Sequence, residues 1–198
     1  MIREIKSDDK IDFIKSQLEK VNQYHWVSIA KENNWQVASG ETKKVFIIKD
    51  FDFVIKFPTN KYEIDYCQRE VEVYSIAKYY KVEKILLETS FFFENSQGIK
   101  FYLQKKMNES FADMDFEKRK RLSQKIPNID KNMNVIQSKM PITINYTWLA
   151  KVKQIYGKIF VRNFIKWIED TGTNDLHNGN VCFIKKLPYI LDYSGYFD

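Results

Sequence analysis

Three polar residues near the carboxyl end of the sequence have the types and spacing of a metal-assisted phosphoryl-transfer site. Asp175 is followed five positions later by Asn180, and Asp192 stands twelve positions further on, at the end of an apolar run. Carboxylate and amide oxygens are hard ligands of the kind that Mg²⁺ prefers, and a carboxylate can also accept the proton of an attacking hydroxyl. We therefore predict that Asn180 and Asp192 bind Mg²⁺ and that Asp175 acts on the substrate hydroxyl.

Phosphoryl transfer also requires positive charge beside the phosphates of the nucleotide. Lys56 lies near the end of a strand-like run and is the candidate for bridging those phosphates. Glu70, on the helix predicted to follow, is the candidate partner that holds Lys56 extended. Glu72 is the alternative partner, because the sequence does not fix the phase of that helix to one residue.

The hydrophobic pattern predicts the elements that position these residues. Apolar residues at every third or fourth position indicate an amphipathic helix over residues 11–30. Five antiparallel strands follow, joined by turns, with one helix over residues 63–80 between the third and the fourth. The strands are predicted at residues 35–38, 45–48, 53–57, 90–94 and 99–104.

After Met107 the sequence becomes more polar and less periodic, which indicates a boundary between lobes. Beyond it we predict a short helix over residues 115–125 and a long helix over residues 146–170, which Gly172 is placed to terminate. The segment with Asp175 follows directly. These features predict an N-terminal helical extension (1–34), a first lobe (35–107) and a second lobe (108–198).

Taken in order, the motifs resemble the protein-kinase-like superfamily, and among its members aminoglycoside and choline phosphotransferases and small bacterial kinase-like proteins. The motifs that carry the resemblance are Val54-Ile55-Lys56, the helix with Glu70, Asp175-Leu176-His177-Asn178-Gly179-Asn180, and Leu191-Asp192-Tyr193-Ser194-Gly195. The resemblance implies an α+β, bilobal fold, with a five-stranded antiparallel sheet and one main helix in the first lobe and a reduced, mostly helical second lobe. It also implies ATP and Mg²⁺ as cofactors and an acceptor of unknown nature, a small molecule or a protein.

The resemblance implies further nucleotide contacts in the first lobe. The segment from Gln104 to Met107 would be the hinge whose backbone hydrogen-bonds the adenine, and Ser39 and Gly40 would form the phosphate loop. Such loops are usually rich in glycine, so that backbone amides approach the phosphates closely. Only one glycine is present here, and the charge of Lys43 or Lys44 is the candidate compensation.

Other departures from the family pattern leave two hypotheses open. Thr173 stands where the family often has a His that braces the loop, Tyr193 replaces the Phe of the metal motif, and His177 is expected to be structural. The sequence ends at Asp198, so the segments that bind a protein substrate in ordinary kinases are expected to be missing. The complete set of polar site residues favours an active phosphotransferase. The end of the sequence soon after the metal motif, and the single glycine of the phosphate loop, favour a pseudokinase that binds nucleotide or a protein partner.

Composition limits the remaining classes. With 198 residues, 44% of them hydrophobic, the chain can form one sizeable core or two small lobes. The net charge of +6 suits an anionic ligand, but charge alone does not favour nucleic acid. No long apolar run or secretory pattern is present, which predicts a cytoplasmic protein without a membrane anchor. Cys67 and Cys182 lack the paired spacing of zinc or redox motifs and are interpreted as buried hydrophobic residues.

Overall fold

The computed structural model describes residues 7–40, 42–58, 65–107, 146–173 and 176–194. Within these ranges the protein is mixed α/β, with a five-stranded antiparallel sheet, a two-stranded hairpin and four α-helices. The chain divides into two compact units. The first comprises Met1–Gln68 and Thr89–Lys106, and the second comprises Arg69–Glu88 and Met107–Asp198.

The first unit begins with two helices, α1 (Ser7–Leu18) and α2 (Trp26–Glu32). The prediction of one helix over residues 11–30 is therefore wrong. The side-chain Oδ1 of Asn22 accepts hydrogen bonds from the backbone N–H groups of Tyr24 and His25, each at 2.9 Å. Asparagine offers the backbone this alternative to helical hydrogen bonding, so the chain turns between the two helices.

The sheet of the first unit has the strand order β1-β2-β3-β5-β4, with every neighbouring pair antiparallel. The prediction of a five-stranded antiparallel sheet is confirmed, and the strand ends lie within two residues of the predicted ones. The strands are β1 (Gln36–Ser39), β2 (Lys43–Ile47), β3 (Phe53–Pro58), β4 (Thr89–Glu94) and β5 (Lys100–Lys105).

The two faces of this sheet differ in chemistry because successive strand residues point to opposite sides. One face is apolar and packs in the same buried cluster as side chains of α1 and α2. Its members include Phe46, Ile55, Phe57 and Phe101, with Ile14, Leu18 and Ile29 from the helices. The other face, here called the polar face, carries buried polar side chains, namely Lys43, Lys56, Thr89, Tyr102 and Gln104.

A buried asparagine joins the β4–β5 turn to the end of α1. The Nδ2 group of Asn95 donates to the carbonyl oxygens of Leu18 at 3.1 Å and Val21 at 2.9 Å. Its Oδ1 accepts from the backbone N–H groups of Gln97 at 3.1 Å and Ile99 at 3.0 Å. One side chain thus satisfies four backbone groups in two elements.

Two helices of the second unit were predicted close to their observed bounds, but a break inside the longer one was not. Helix α3 (Tyr66–Tyr80) starts three residues later than predicted, and its first three residues belong to the first unit. Helix α4 (Tyr146–Thr171) is interrupted at Gly157, where φ is 84° and ψ is 174°. This region of backbone space is essentially restricted to glycine. Gly172, with φ of 63°, follows the last residue of α4 as predicted.

The core of the second unit joins α3 and α4 to a hairpin formed by β6 (Val181–Ile184) and β7 (Leu187–Ile190). The short 3₁₀ helix Glu83–Ile85 precedes Leu87, whose N–H donates to Ile190 O at 2.9 Å. Large members of this core, all fully buried, are Trp148, Phe164, Trp167 and Tyr193.

Both cysteines are buried, as predicted. Burial raises the pKa of the Cys182 thiol to about 12, so this group stays protonated near neutral pH. The predicted helix over residues 115–125 lies outside the described residues. Among the helices that the structure describes, none has the length and apolar character needed to span a membrane.

Candidate functional site

Lys56 lies in β3, in the middle of the polar face. Its side chain is only 6% exposed, and its cross-strand partners are Val45 in β2 and Tyr102 in β5. The hydroxyl of Tyr102 donates to Asp65 Oδ2 at 2.6 Å. Burial and this carboxylate raise the pKa of Tyr102, so the phenol remains a neutral donor. The side chain beside Lys56 on β5 is therefore held in one orientation.

Asp65 also begins the helix that carries the predicted partner of Lys56. Its Oδ1 accepts from the backbone N–H groups of Cys67 and Gln68, each at 3.0 Å, which is the geometry of an N-cap. This cap fixes the first turn of α3. In the resulting phase Glu70 is fully buried and Glu72 is exposed. Glu70 is thus the buried candidate of the two, and its pairing with Lys56 stays a prediction.

The predicted phosphate loop closes the β1–β2 hairpin. The N–H of Gly40 donates to Lys43 O at 2.9 Å, and Lys44 Nζ donates to Ser39 Oγ at 2.8 Å. A Cβ added to Gly40 would meet Lys43 O at 3.8 Å, an ordinary contact. Gly40 has no positive φ either. The backbone at position 40 therefore does not require a glycine.

The predicted hinge begins inside the sheet. Gln104 lies in β5, paired with Val54 on one side and Thr89 on the other, and its Nε2 donates to Thr89 Oγ1 at 3.0 Å. Met107 follows β5 and lies in the second unit, where it contacts the thiol of Cys182. The adenine contacts assigned to this segment stay a prediction.

The loop that carries the predicted proton acceptor is described from Leu176 onward, and Asp175 itself lies outside the described residues. His177 is exposed, and its Nδ1 accepts from the N–H of Gly179 at 2.9 Å. Its carbonyl oxygen accepts from the N–H of Asn180, also at 2.9 Å. His177 thereby caps the 3₁₀ helix Asn178–Asn180, which agrees with the structural role expected for it.

The structure brings the two predicted metal ligands to adjoining ends of one hairpin. Asn180 immediately precedes β6, and its carbonyl oxygen accepts from the N–H of Leu191 at 2.8 Å. Asp192 is the next residue after Leu191. Its Oδ1 accepts from Ser194 Oγ at 3.1 Å, which orients the half-buried carboxylate.

Thr173 braces the loop against the segment that contains Asp192. Its buried hydroxyl oxygen lies 3.3 Å from Tyr193 O and 2.9 Å from Thr171 Oγ1. The hydroxyl of Thr171 itself donates to Trp167 O at 2.7 Å, inside α4. Tyr193 is fixed at its other end, since its hydroxyl donates to Leu87 O at 2.8 Å. Both sides of this contact are thus anchored in the core.

Sequence reasoning missed Arg69, which joins the same two segments. Its Nε donates to Ser194 O at 3.1 Å, and its Nη2 donates to the carbonyl oxygen of Thr171. Arg69 is the fourth residue of α3, near the positive end of the helix dipole, where a cation is unfavourable. This unfavourable position becomes evident only once the structure fixes the first residue of α3.

The donor set at the hairpin ends fits magnesium better than a transition metal. Within the described residues there is no group of three His, Cys, Asp or Glu side chains that could hold a metal. Asn180 and Asp192 supply one amide and one carboxylate. Mg²⁺ is commonly bound by one or two such oxygen ligands and completes its coordination with water and substrate phosphates.

Replacing Gly179 with Ala is expected to displace the ring of His177. The added Cβ would lie 2.6 Å from His177 Cε1 and 2.9 Å from Nδ1, so the exposed ring must rotate away and lose its hydrogen bond. We expect the free energy of unfolding to fall by about 1 kcal/mol, the usual value of one such bond. Urea denaturation of Gly179→Ala measures this change.

A double-mutant cycle separates the ring contact from other effects of the methyl group. In a His177→Ala background the clash is absent, so Gly179→Ala should cost markedly less than it does in the wild type. Equal costs in both backgrounds would show that the ring of His177 is not what confines position 179.

Comparisons with known proteins do not assign the chain to a family. No protein-family model matches the sequence. No curated protein matches it either. Among solved structures, the chain is similar to the ternary complex of streptomycin, ATP and APH(2″)-IIa, with 9% identity and a TM-score of 0.36. That match covers 88% of this chain and 71% of the other. At this level of similarity, function has to be argued from the residues of this chain.

Proposed function

We propose that this protein is a kinase-like phosphotransferase that uses ATP and Mg²⁺. One observation carries the proposal: the Asn180–Leu191 backbone hydrogen bond puts the two candidate metal ligands at adjoining ends of a hairpin. Thr173, two residues before Asp175, contacts the carbonyl of Tyr193, next to Asp192. The kinase-like two-lobe fold, with lobes at residues 35–107 and 108–198, is part of the same proposal.

Each requirement of phosphoryl transfer has a proposed residue. Asn180 and Asp192 would hold Mg²⁺, which neutralises phosphate charge when bound. Lys56 would bind the nucleotide phosphates, with Glu70 as its partner. Further proposed contacts to the nucleotide come from the phosphate loop and the hinge, namely Ser39, Gly40, Gln104 and Met107.

In the proposed reaction a hydroxyl oxygen of the acceptor forms a bond to the γ-phosphorus of ATP. The bond between that phosphorus and the β,γ-bridging oxygen breaks, and ADP leaves. The hydroxyl proton passes to the carboxylate of Asp175, for which a general-base contribution of about 10² to 10⁴ in rate is typical. Hydrolysis follows the same course with water as the acceptor.

The second candidate is a module that binds nucleotide without turnover. The observation that favours it is the β1–β2 loop, where Gly40 has neither the positive φ nor the steric need that would mark a phosphate-cradling glycine. Both candidates share nucleotide binding by Lys56. They differ in whether replacing Asp175 has a catalytic effect.

The test combines calorimetric titration with ATP and a measurement of ADP release, each with and without Mg²⁺. We expect the wild type to bind and slowly hydrolyse ATP in a Mg²⁺-dependent manner, Lys56→Met to lose binding, and Asp175→Asn to bind but not turn over. If the wild type neither binds nor hydrolyses ATP, the proposal fails. If it binds ATP, but Asp175→Asn changes no rate, the binding module is the better description.

A further inference from the structure

The β1–β2 hairpin presents two adjacent lysines to opposite faces of the sheet. In the strand register Lys43 pairs with Pro58, and Val45, two residues on, pairs with Lys56. Directly paired residues share a face, so Lys43 and Lys56 both lie on the polar face. Lys44 pairs with Phe57, a core residue of the apolar face.

The surroundings of Lys43 and Lys44 differ as well, in line with their positions on opposite faces. Lys43 is 6% exposed, as is Lys56. Lys44 instead lies with its Nζ 5.1 Å from the centroid of the Trp26 ring and donates to Ser39 Oγ. Lys43 and Lys56 therefore bring two ammonium groups to one face of the sheet, whereas Lys44 brings its charge to the other.

We propose that Lys43 is a second phosphate-binding residue that replaces the backbone amides of a glycine-rich loop. Diagonal neighbours on one sheet face have their α-carbons about 7–8 Å apart. Two flexible lysine side chains at that spacing can converge on one polyphosphate. The ligand is the phosphate chain of a nucleoside di- or triphosphate, and this inference rests on the nucleotide binding proposed above.

A lysine pair can take over the task of a glycine loop because both neutralise the same charge. Backbone amides do so only where the chain can approach the phosphates closely, which a glycine permits. An ammonium group on a four-carbon stem reaches the anion from further away. Phosphate binding then does not require a glycine-specific backbone at Gly40, because Lys43 supplies the positive charge through its side chain.

The test compares the Mg²⁺ complexes of ATP and ADP with adenosine, using calorimetric titration of the full chain. Lys43→Met is expected to weaken ATP binding about tenfold or more, since it removes a charge-assisted hydrogen bond to the phosphates. Adenosine, which has no phosphate, should bind within about twofold of the wild type. Lys49→Met is the matched control, because it removes the same charge from an exposed position just beyond the end of β2.

Lys43→Gln repeats the measurement with a polar side chain, and thermal denaturation without ligand checks that each variant is folded. The inference is overturned if both Lys43 variants bind ATP as the wild type does, if Lys43→Met weakens adenosine and ATP equally, or if Lys49→Met weakens ATP as much. When the wild type binds ATP, each of these outcomes tests the role of Lys43 and leaves the proposed function intact. Absence of ATP binding in the wild type would overturn the proposed function, and this inference with it.

Discussion

Asp192→Asn is expected to lower the rate of Mg²⁺-dependent ATP turnover by about 100-fold or more. Loss of a residue that merely supports a metal ligand already costs 10- to 100-fold, and here a proposed ligand loses its charge. The amide keeps an oxygen that can accept from Ser194 Oγ, so the local turn should persist. ADP release measured across a range of Mg²⁺ concentrations should show a raised Mg²⁺ requirement as well as a lower rate.

Asp12→Asn is the matched control for this substitution. It removes the same charge from an exposed position in α1, so turnover should stay at the wild-type level. Thermal denaturation of Asp192→Asn without nucleotide should give a midpoint close to that of the wild type, because the carboxylate is only half-buried. A rate within about threefold of the wild type and an unchanged Mg²⁺ dependence would rule out Asp192 as a metal ligand.

The sheet could be predicted from sequence because its signal is local. Runs of β-branched and aromatic residues, separated by turn-forming residues, predicted all five strands of the first unit. The helix errors arose where one side chain or one dihedral angle overrides the pattern. Asn22 accepts hydrogen bonds from two N–H groups in the turn between α1 and α2, and Gly157 interrupts α4 although the apolar stripe continues through it.

The spacing between the two candidate metal ligands has a structural explanation that the sequence concealed. Two four-residue strands and a two-residue turn separate Asn180 from Leu191. The turn consists of Lys185 and Lys186, both with positive φ, a conformation that usually selects Asn or Gly. No turn signal therefore marked the hairpin. This hairpin is the physical basis of the spacing of twelve residues between Asn180 and Asp192.

Thr173 and Arg69 could not be predicted for a different reason. Both contact main-chain carbonyls of residues that are distant in sequence, and a carbonyl is present at every position. Arg69 and Ser194, for example, are separated by 125 residues. Side-chain pattern carries no information on which carbonyl is reached. The separate roles of Lys43 and Lys44 became distinguishable only when strand register assigned each to a face.

Asn95→Ala is expected to be among the most destabilising single substitutions in the first unit. Alanine would remove both donors to the carbonyl groups at the end of α1 and both acceptor contacts in the β4–β5 turn. Asn95 is 4% exposed, so water cannot readily replace these partners. A buried group left unsatisfied costs about 1–3 kcal/mol, and we expect a total loss of about 2–4 kcal/mol in the free energy of unfolding.

Two further variants identify which of these hydrogen bonds matters. Asn95→Asp keeps the acceptor contacts but loses the donors, and it places a negative charge near the C-terminus of α1, where the helix dipole disfavours it. It should therefore be nearly as unstable as Asn95→Ala. Asn22→Ala is the exposed control, since it also removes two contacts to backbone N–H groups but leaves them to water, and should cost about 1 kcal/mol or less.

Denaturant unfolding of the three variants gives the comparison directly. If Asn95→Ala and Asn22→Ala lose equal stability, the buried contacts are worth no more than exposed ones, and Asn95 does not anchor α1. If the expected order holds, the contact has a consequence for ligand binding. The helices α1 and α2 cover the apolar face of the same strands whose other face carries Lys43 and Lys56. Loosening that packing should then weaken nucleotide binding without any change to the polar face.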